Sequence, residues 1–345
     1  MDIKEDFTWS GGRLYNTINV RAGAAMTIQG TDPKTLAKAS GGMGMISNHG
    51  DATWRGTGLL TLQTEASIVN AGTFVAEAGT ILVGGTCCTV NNVFVNEGLL
   101  RVITPFPFPP GQVTFRGAAL INSGTVEAVG TTLELEYANH LFHDGSVFTG
   151  SGRTRLTGPS AVLDGIVTIA AGGTLELASI PSRHGILAGT ATINGPGTLL
   201  WTGGTLRADL TIAQETTMII RGDADKTLDA GYDGGVLTNE GNVFWENGRL
   251  KFDFEPLLVN AGTFTIQSDS VLQANRCCLP PVATFKNAGT LIKSAGTGSS
   301  TFQGVGLVNS GVLDIRSGAI DLDDSAHILD QGSVLRGAGR LRVIG

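Results

Sequence analysis

Residues 120–158 and 307–345 of this chain align without a gap at an offset of 187. The first stretch reads LINSGTVEAVGTTLELEYANHLFHDGSVFTGSGRTRLTG and the second LVNSGVLDIRSGAIDLDDSAHILDQGSVLRGAGRLRVIG. The offset is 190 at Cys87-Cys88 and Cys277-Cys278, 191 at Trp54 and Trp245, and 192 at Trp9 and Trp201. The chain is therefore a unit, 1–192, followed by a shorter copy, 193–345. Internal repetition constrains the fold more than any other feature, because each copy must bury its apolar face against the next.

A shorter repeat runs inside each copy. Asn, a small or polar residue and Gly recur at Asn48-His49-Gly50, Asn70-Ala71-Gly72, Asn96-Glu97-Gly98 and Asn122-Ser123-Gly124. The second copy has Asn239-Glu240-Gly241, Asn260-Ala261-Gly262, Asn287-Ala288-Gly289 and Asn309-Ser310-Gly311. The spacings are 22, 26 and 26, then 21, 27 and 22. Asn and Gly tolerate left-handed backbone, so the tripeptide reads as a turn. Short alternating runs follow, such as Thr174-Leu175-Glu176-Leu177, Leu133-Glu134-Leu135-Glu136-Tyr137 and Ile320-Asp321-Leu322-Asp323. Alternation places Leu133, Leu135 and Tyr137 on one face and Glu134 and Glu136 on the other. No segment sustains a helical period.

Several short strands and corners in every 21–27 residues predict a parallel β-helix, an all-β solenoid in which each repeat makes one coil. At roughly 24 residues per coil and about 4.8 Å between coils, the chain makes roughly 14 coils, one continuous solenoid over 1–345 on the order of 65–70 Å long. The eight Asn residues of the tripeptides are then expected to stack as a ladder of side-chain amides. A propeller or sandwich fits less well, since propeller blades repeat at 40 residues or more.

Hydrophobic residues make up 41% of the sequence, enough for a long thin core, and aromatics only 6%, which suits a narrow one. A net charge of −7 without any basic cluster argues against nucleic acid. No run is long and apolar enough to span a membrane. Met1-Asp2-Ile3-Lys4-Glu5-Asp6 is no secretion signal. Phe7-Thr8-Trp9-Ser10-Gly11-Gly12 already matches Leu199-Leu200-Trp201-Thr202-Gly203-Gly204, and the end falls where the first copy continues with Pro159. Both ends read as cut from a longer array, so flanking repeat units and end-to-end self-association are expected partners.

The pattern Asn122-Ser123-Gly124-Thr125 through Thr131-Thr132-Leu133 resembles the β-helical stalks of bacterial cell-surface proteins, above all autotransporter passengers and filamentous-haemagglutinin-like adhesins. The resemblance implies secretion, an extracellular or surface location, and a stalk or adhesive role toward carbohydrate or a host surface. It implies no cofactor.

Several residues invite chemistry. Cys87, Cys88, Cys277 and Cys278 leave three possibilities: a strained vicinal disulfide, intermolecular disulfides, or thiols in a loop. Adjacent Cys residues without a following His do not make a zinc site. Glu134, Glu136, Asp321 and Asp323 could serve a polysaccharide-cleaving β-helix, where paired carboxylates do the work. However, Arg153, Arg155, Arg340 and Arg342 follow them by 19 residues, close to one coil. The expected pairs are Glu134 with Arg153, Glu136 with Arg155, Asp321 with Arg340 and Asp323 with Arg342, forming an exposed charge ladder. His140 and His327 occupy matching places as turn or core residues, with no recurring nucleophile beside them. The four Trp residues either stack on sugars or cover the coil edge. Arg221-Gly222-Asp223 matches a short integrin-type motif, but its counterpart Gln29-Gly30-Thr31 does not. The reading is a non-enzymatic structural segment, with a polysaccharide-binding or polysaccharide-cleaving β-helix and a self-assembling filament subunit as the alternatives.

Overall fold

Apolar residues at alternate positions, cut off every few residues by a corner, produce short strands that pair with their equivalents one coil away. The computed structural model describes residues 1–38, 44–85, 92–105, 111–181, 183–231, 235–274 and 283–344. The fold is an all-β parallel β-solenoid of about 14 turns, with no helix among the described residues. Two compact units are present, Met1–Leu175 and Glu176–Gly345.

In the first unit most coils contribute three strands, as in Met45–Asn48, Asp51–Trp54 and Leu60–Gln63. Each pairs in parallel with the strand one coil before and one coil after. Asn70, for example, stands opposite both Asn48 and Asn96. In the second unit Val236–Asn239, Asn242–Trp245 and Leu250–Asp253 play the same parts. The antiparallel pair Ser179–Ile180 with Arg183–His184 is the exception among the described residues.

Strand residues alternate between the interior and the outer surface. In Ser67–Asn70, Ile68 and Asn70 are buried while Ser67 and Val69 are half-buried. The interior holds aromatic stacks along the coil axis. Phe74 meets Phe94 edge-on at 5.0 Å, and Phe94 meets Phe115 at 5.3 Å. In the second unit Phe264, Phe285 and Phe302 follow one another at 5.2 and 5.6 Å. Edge-to-face contact adds about 1 kcal/mol per pair to the burial of each ring.

The tripeptide glycines are needed for a reason other than the one their sequence suggests. None of Gly50, Gly72, Gly98 or Gly124 lies in the left-handed region. They stack instead. A Cβ on Gly72 would sit 2.2 Å from the carbonyl oxygen of Gly50, and one on Gly98 would sit 2.3 Å from that of Gly72. Gly241, Gly262, Gly289 and Gly311 are equally crowded. The same carbonyls accept the next coil's first strand bond: Thr73 N donates to Gly50 O at 2.9 Å and Leu99 N to Gly72 O at 2.9 Å. The requirement is close approach of successive coils, not an unusual turn.

Two further expectations change. Tyr137 does not share the interior with Leu133 and Leu135. The strand stops at Glu136, and Tyr137 turns out to solvent with φ +58°. Equivalent residues of the two copies also occupy different strand columns. Trp54 lies on a strand of the larger hydrogen-bonded sheet and Trp245 on a strand of the smaller one. In the first unit the Asn strand precedes the smaller-sheet strand by two places, and in the second by one. The repeated sequence is threaded through the three columns one strand out of phase.

Candidate functional site

The Asn residues meet within each unit. Asn48 Nδ2 donates to Asn70 Oδ1 at 2.7 Å, Asn70 to Asn96 at 2.8 Å, and Asn96 to Asn122 at 2.7 Å. In the second unit Asn239 donates to Asn260 at 2.7 Å, Asn260 to Asn287 at 2.7 Å, and Asn287 to Asn309 at 2.6 Å. All eight side chains are buried. The second amide hydrogen reaches a backbone carbonyl, such as Thr73 O from Asn48 or Leu99 O from Asn70. Because the amide nitrogen faces carbonyl oxygens, its orientation is fixed by the network. Each ladder starts against an apolar neighbour, Val20 below Asn48 and Ile212 below Asn239. There the Oδ1 atoms of Asn48 and Asn239 have no partner among the described residues. These are axial staples, with no group presented to a ligand.

Glu134, Glu136 and Asp321 bond to arginines, but not in the expected register. Glu134 lies opposite Arg155, and Arg153 opposite Thr132. Glu136 pairs backward with Arg116, at 3.0 Å, on the preceding coil. Asp321 lies opposite Arg342, at 2.6 Å, and Arg340 opposite Ala319. Asp323 lies opposite Gln303 and does not take Arg342 as its partner. The coil closes in 21 residues at Glu134–Arg155 and at Asp321–Arg342, two more than the interval assumed from sequence. A slip of two leaves every side chain on its own face, so alternation alone does not detect it.

Nor are the acids exposed. The Glu134 side chain is 5% accessible. Thr157 Oγ1 donates to its Oε1 at 2.7 Å and Arg155 Nη1 approaches Oε2 at 3.4 Å. Burial pushes its carboxyl above the ordinary range, against the pull of Thr157 and Arg155. Asp321 is held below its ordinary range chiefly by its hydrogen bonds to Arg342.

His140 and His327 take the same bond in each copy. The Leu120 N–H donates to His140 Nδ1 at 3.1 Å, and the Leu307 N–H donates to His327 Nδ1 at 3.2 Å. A ring nitrogen that accepts from a backbone donor carries no proton, so the hydrogen sits on Nε2. Burial lowers the His140 pKa to about 4 and moves His327 in the same direction.

All four Trp residues are buried, which removes sugar stacking. Three indole N–H groups bond to corner carbonyls: Trp9 to Gly11 O, Trp201 to Gly204 O and Trp245 to Gly248 O. Beside these corners stand residues that the sequence reading missed. Lys34 and Lys226 are fully buried at matching positions. Lys34 Nζ donates to Asp32 O at 2.8 Å, and Lys226 Nζ donates to Gly222 O and to Ala224 O. The available signal was phase: Lys34-Thr35-Leu36 and Lys226-Thr227-Leu228 set each lysine on the same side as an interior Leu. Lys293, also buried, bonds Asp269 Oδ1 at 2.8 Å. Burial brings Lys226 down to about pKa 8. Its amine is enclosed and bound twice, so it braces the Arg221-Gly222-Asp223 corner.

Cys87, Cys88, Cys277 and Cys278 lie outside the described residues. Among the described residues no cluster of three or more His, Cys, Asp or Glu could hold a metal ion. No protein-family model matches the chain. No curated protein matches it either.

Proposed function

We propose that the chain is a structural spacer segment of a secreted or cell-surface protein, with adhesion as the wider role it serves. The observation that carries this reading is the pair of buried amide ladders. Hydrogen bonding is concentrated along the coil axis, where it resists separation of coils, while the groups that could do chemistry are spent on one another. Glu134, Glu136 and Asp321 are engaged by arginines, and His140, Lys34, Lys226 and Lys293 are buried.

Pulling single molecules by their two ends tests it. A spacer resists low force and then yields coil by coil in repeated steps. Smooth extension at low force would remove the spacer reading. The polysaccharide reading draws on the exposed aromatic rings of Tyr15, Tyr137 and Phe254. We rank it second, because Glu136, the carboxylate next to Tyr137, is engaged by Arg116 at 3.0 Å. Release of reducing ends from a glycan panel, abolished by Glu136→Gln, would reverse that order.

A further inference from the structure

The corner at 221–225 has an internal control. At the offset of 192 its counterpart is the corner at 29–33, and the two are built alike. Gly30 and Gly222 both lie at φ +87°. The Gln29 N–H donates to Trp9 O and the Arg221 N–H to Trp201 O, each at 3.0 Å. Lys34 Nζ donates to Asp32 O and Lys226 Nζ to the equivalent Ala224 O, both at 2.8 Å. The first copy makes this corner from Gln29, Gly30 and Thr31. The backbone therefore does not call for charge on either side of the glycine, and Arg221 and Asp223 are additions that the fold does not require.

Nor are they spent on their surroundings. Gln29 is tied down by Arg55, at 3.1 and 2.7 Å. In the second copy Glu246 follows Trp245 as Arg55 follows Trp54, and Arg221 makes no ion pair with it. Arg221 and Asp223 are exposed, and neither side chain makes a hydrogen bond or ion pair among the described residues. Asp223 feels the charge of the buried Lys226 ammonium without bonding to it. The next acid, Asp225, is by contrast engaged by both Arg249 and Lys251. The backbone between the two free charges is held: Asn247 Oδ1 accepts from the Gly222 N–H at 2.5 Å, and Lys226 Nζ donates to Gly222 O. A fixed corner offers its side chains with little ordering left to do on binding.

We propose that Arg221 and Asp223 form an adhesion contact, taken by a receptor that sets a carboxylate pocket beside a bound divalent cation. This rests on the adhesive role proposed above and gives it a place on the molecule. Opposite charges two residues apart cancel at a distance, so a surface of one sign gains little here. A partner must offer both signs within reach. The Arg221 guanidinium suits a carboxylate pair, and an oxygen of the Asp223 carboxylate suits a hard divalent cation. Gly222 carries no side chain to hold the partner off the backbone. That is the chemistry the integrin-type motif serves.

The probe is a purified integrin ectodomain that recognises Arg-Gly-Asp peptides, passed in Mg²⁺ over the immobilised intact chain. Binding is expected, displaced by a soluble Arg-Gly-Asp peptide and lost in EDTA. Asp223→Glu keeps the charge but moves the carboxylate by one methylene, and should weaken binding at least about tenfold, as should Arg221→Gln. Both positions are exposed, and circular dichroism checks that the variants stay folded. Absence of binding in Mg²⁺ would overturn the proposal and leave the pulling test of the spacer untouched. Binding that survives EDTA or Asp223→Glu would also overturn it, because the contact would then lie elsewhere or be general charge attraction.

Discussion

Glu134 and Arg155 face each other across one coil of 21 residues, with the carboxylate almost wholly enclosed and the guanidinium partly open to water. Removing the arginine leaves a buried carboxylate held by the Thr157 hydroxyl. Arg155→Ala should therefore cost about 2 kcal/mol at pH 7. The Glu134 carboxyl is already raised by burial. The folded state thus favours the protonated form, and the stability this confers is present at low pH and lost as pH rises through the raised value. The deficit of Arg155→Ala should accordingly shrink toward pH 4. Urea unfolding at several pH values measures it, and the double change Glu134→Gln with Arg155→Met should recover most of the loss.

Gly72→Ala should cost at least about 3 kcal/mol, because the new Cβ falls on the Gly50 carbonyl and no flexible side chain can move aside. Gly130→Ala is the control. Its φ is +61° with nothing within 4 Å, so it should cost only the left-handed penalty of about 1–2 kcal/mol. Thermal unfolding of both variants checks the order. Equal losses would mean that turn conformation, not coil contact, sets the glycine.

Lys226 titrates near 8 in the folded protein against an ordinary value of 10.5. Between these values the unfolded chain holds more protons, so wild-type stability gains as pH rises from about 8 to 10.5. Lys226→Met removes this dependence. Its stability relative to wild type should fall across that window by on the order of 3 kcal/mol. Denaturation curves at the two ends of the window provide the measurement.

His140 behaves similarly on the acid side. With a folded pKa of about 4 and a free value of 6.5, its neutral form supports the fold above pH 6.5, and that support is lost as pH falls toward 4. His140→Asn should flatten the acid limb of the stability profile. In proton NMR the His140 ring should not titrate between pH 5 and 8.

The repeat grammar made the solenoid, its coil length and the Asn residues legible, because period and turn spacing are properties of local sequence. Register was not legible. Pairing Glu134 with Arg155 instead of Arg153 depends on how many residues each corner consumes, and corners leave no periodic trace. The buried lysines were hidden by a different cause. Charge argued for solvent, whereas the phase of Lys34 with Leu36, and of Lys226 with Leu228, argued for the interior. Phase prevailed because corner carbonyls were at hand to accept the ammonium. Burial of Glu134 could not be read at all, since an outward-facing residue is covered only by segments distant in sequence.

The amide ladders also bear on how the protein ages. An asparagine side chain is lost when the next residue's backbone nitrogen attacks its carbonyl carbon, which requires both groups to swing freely. In the ladder neither can. The Ala71 N–H is tied to Asn48 O at 2.8 Å while the Asn70 amide is held by both ladder neighbours. Asn247 has no such shelter. It is exposed, followed by Gly248, and its Oδ1 accepts from the Gly222 N–H. Chemical damage should thus accumulate at the corners long before it reaches the staples between coils, so that an old molecule is marked at its surface yet still stands.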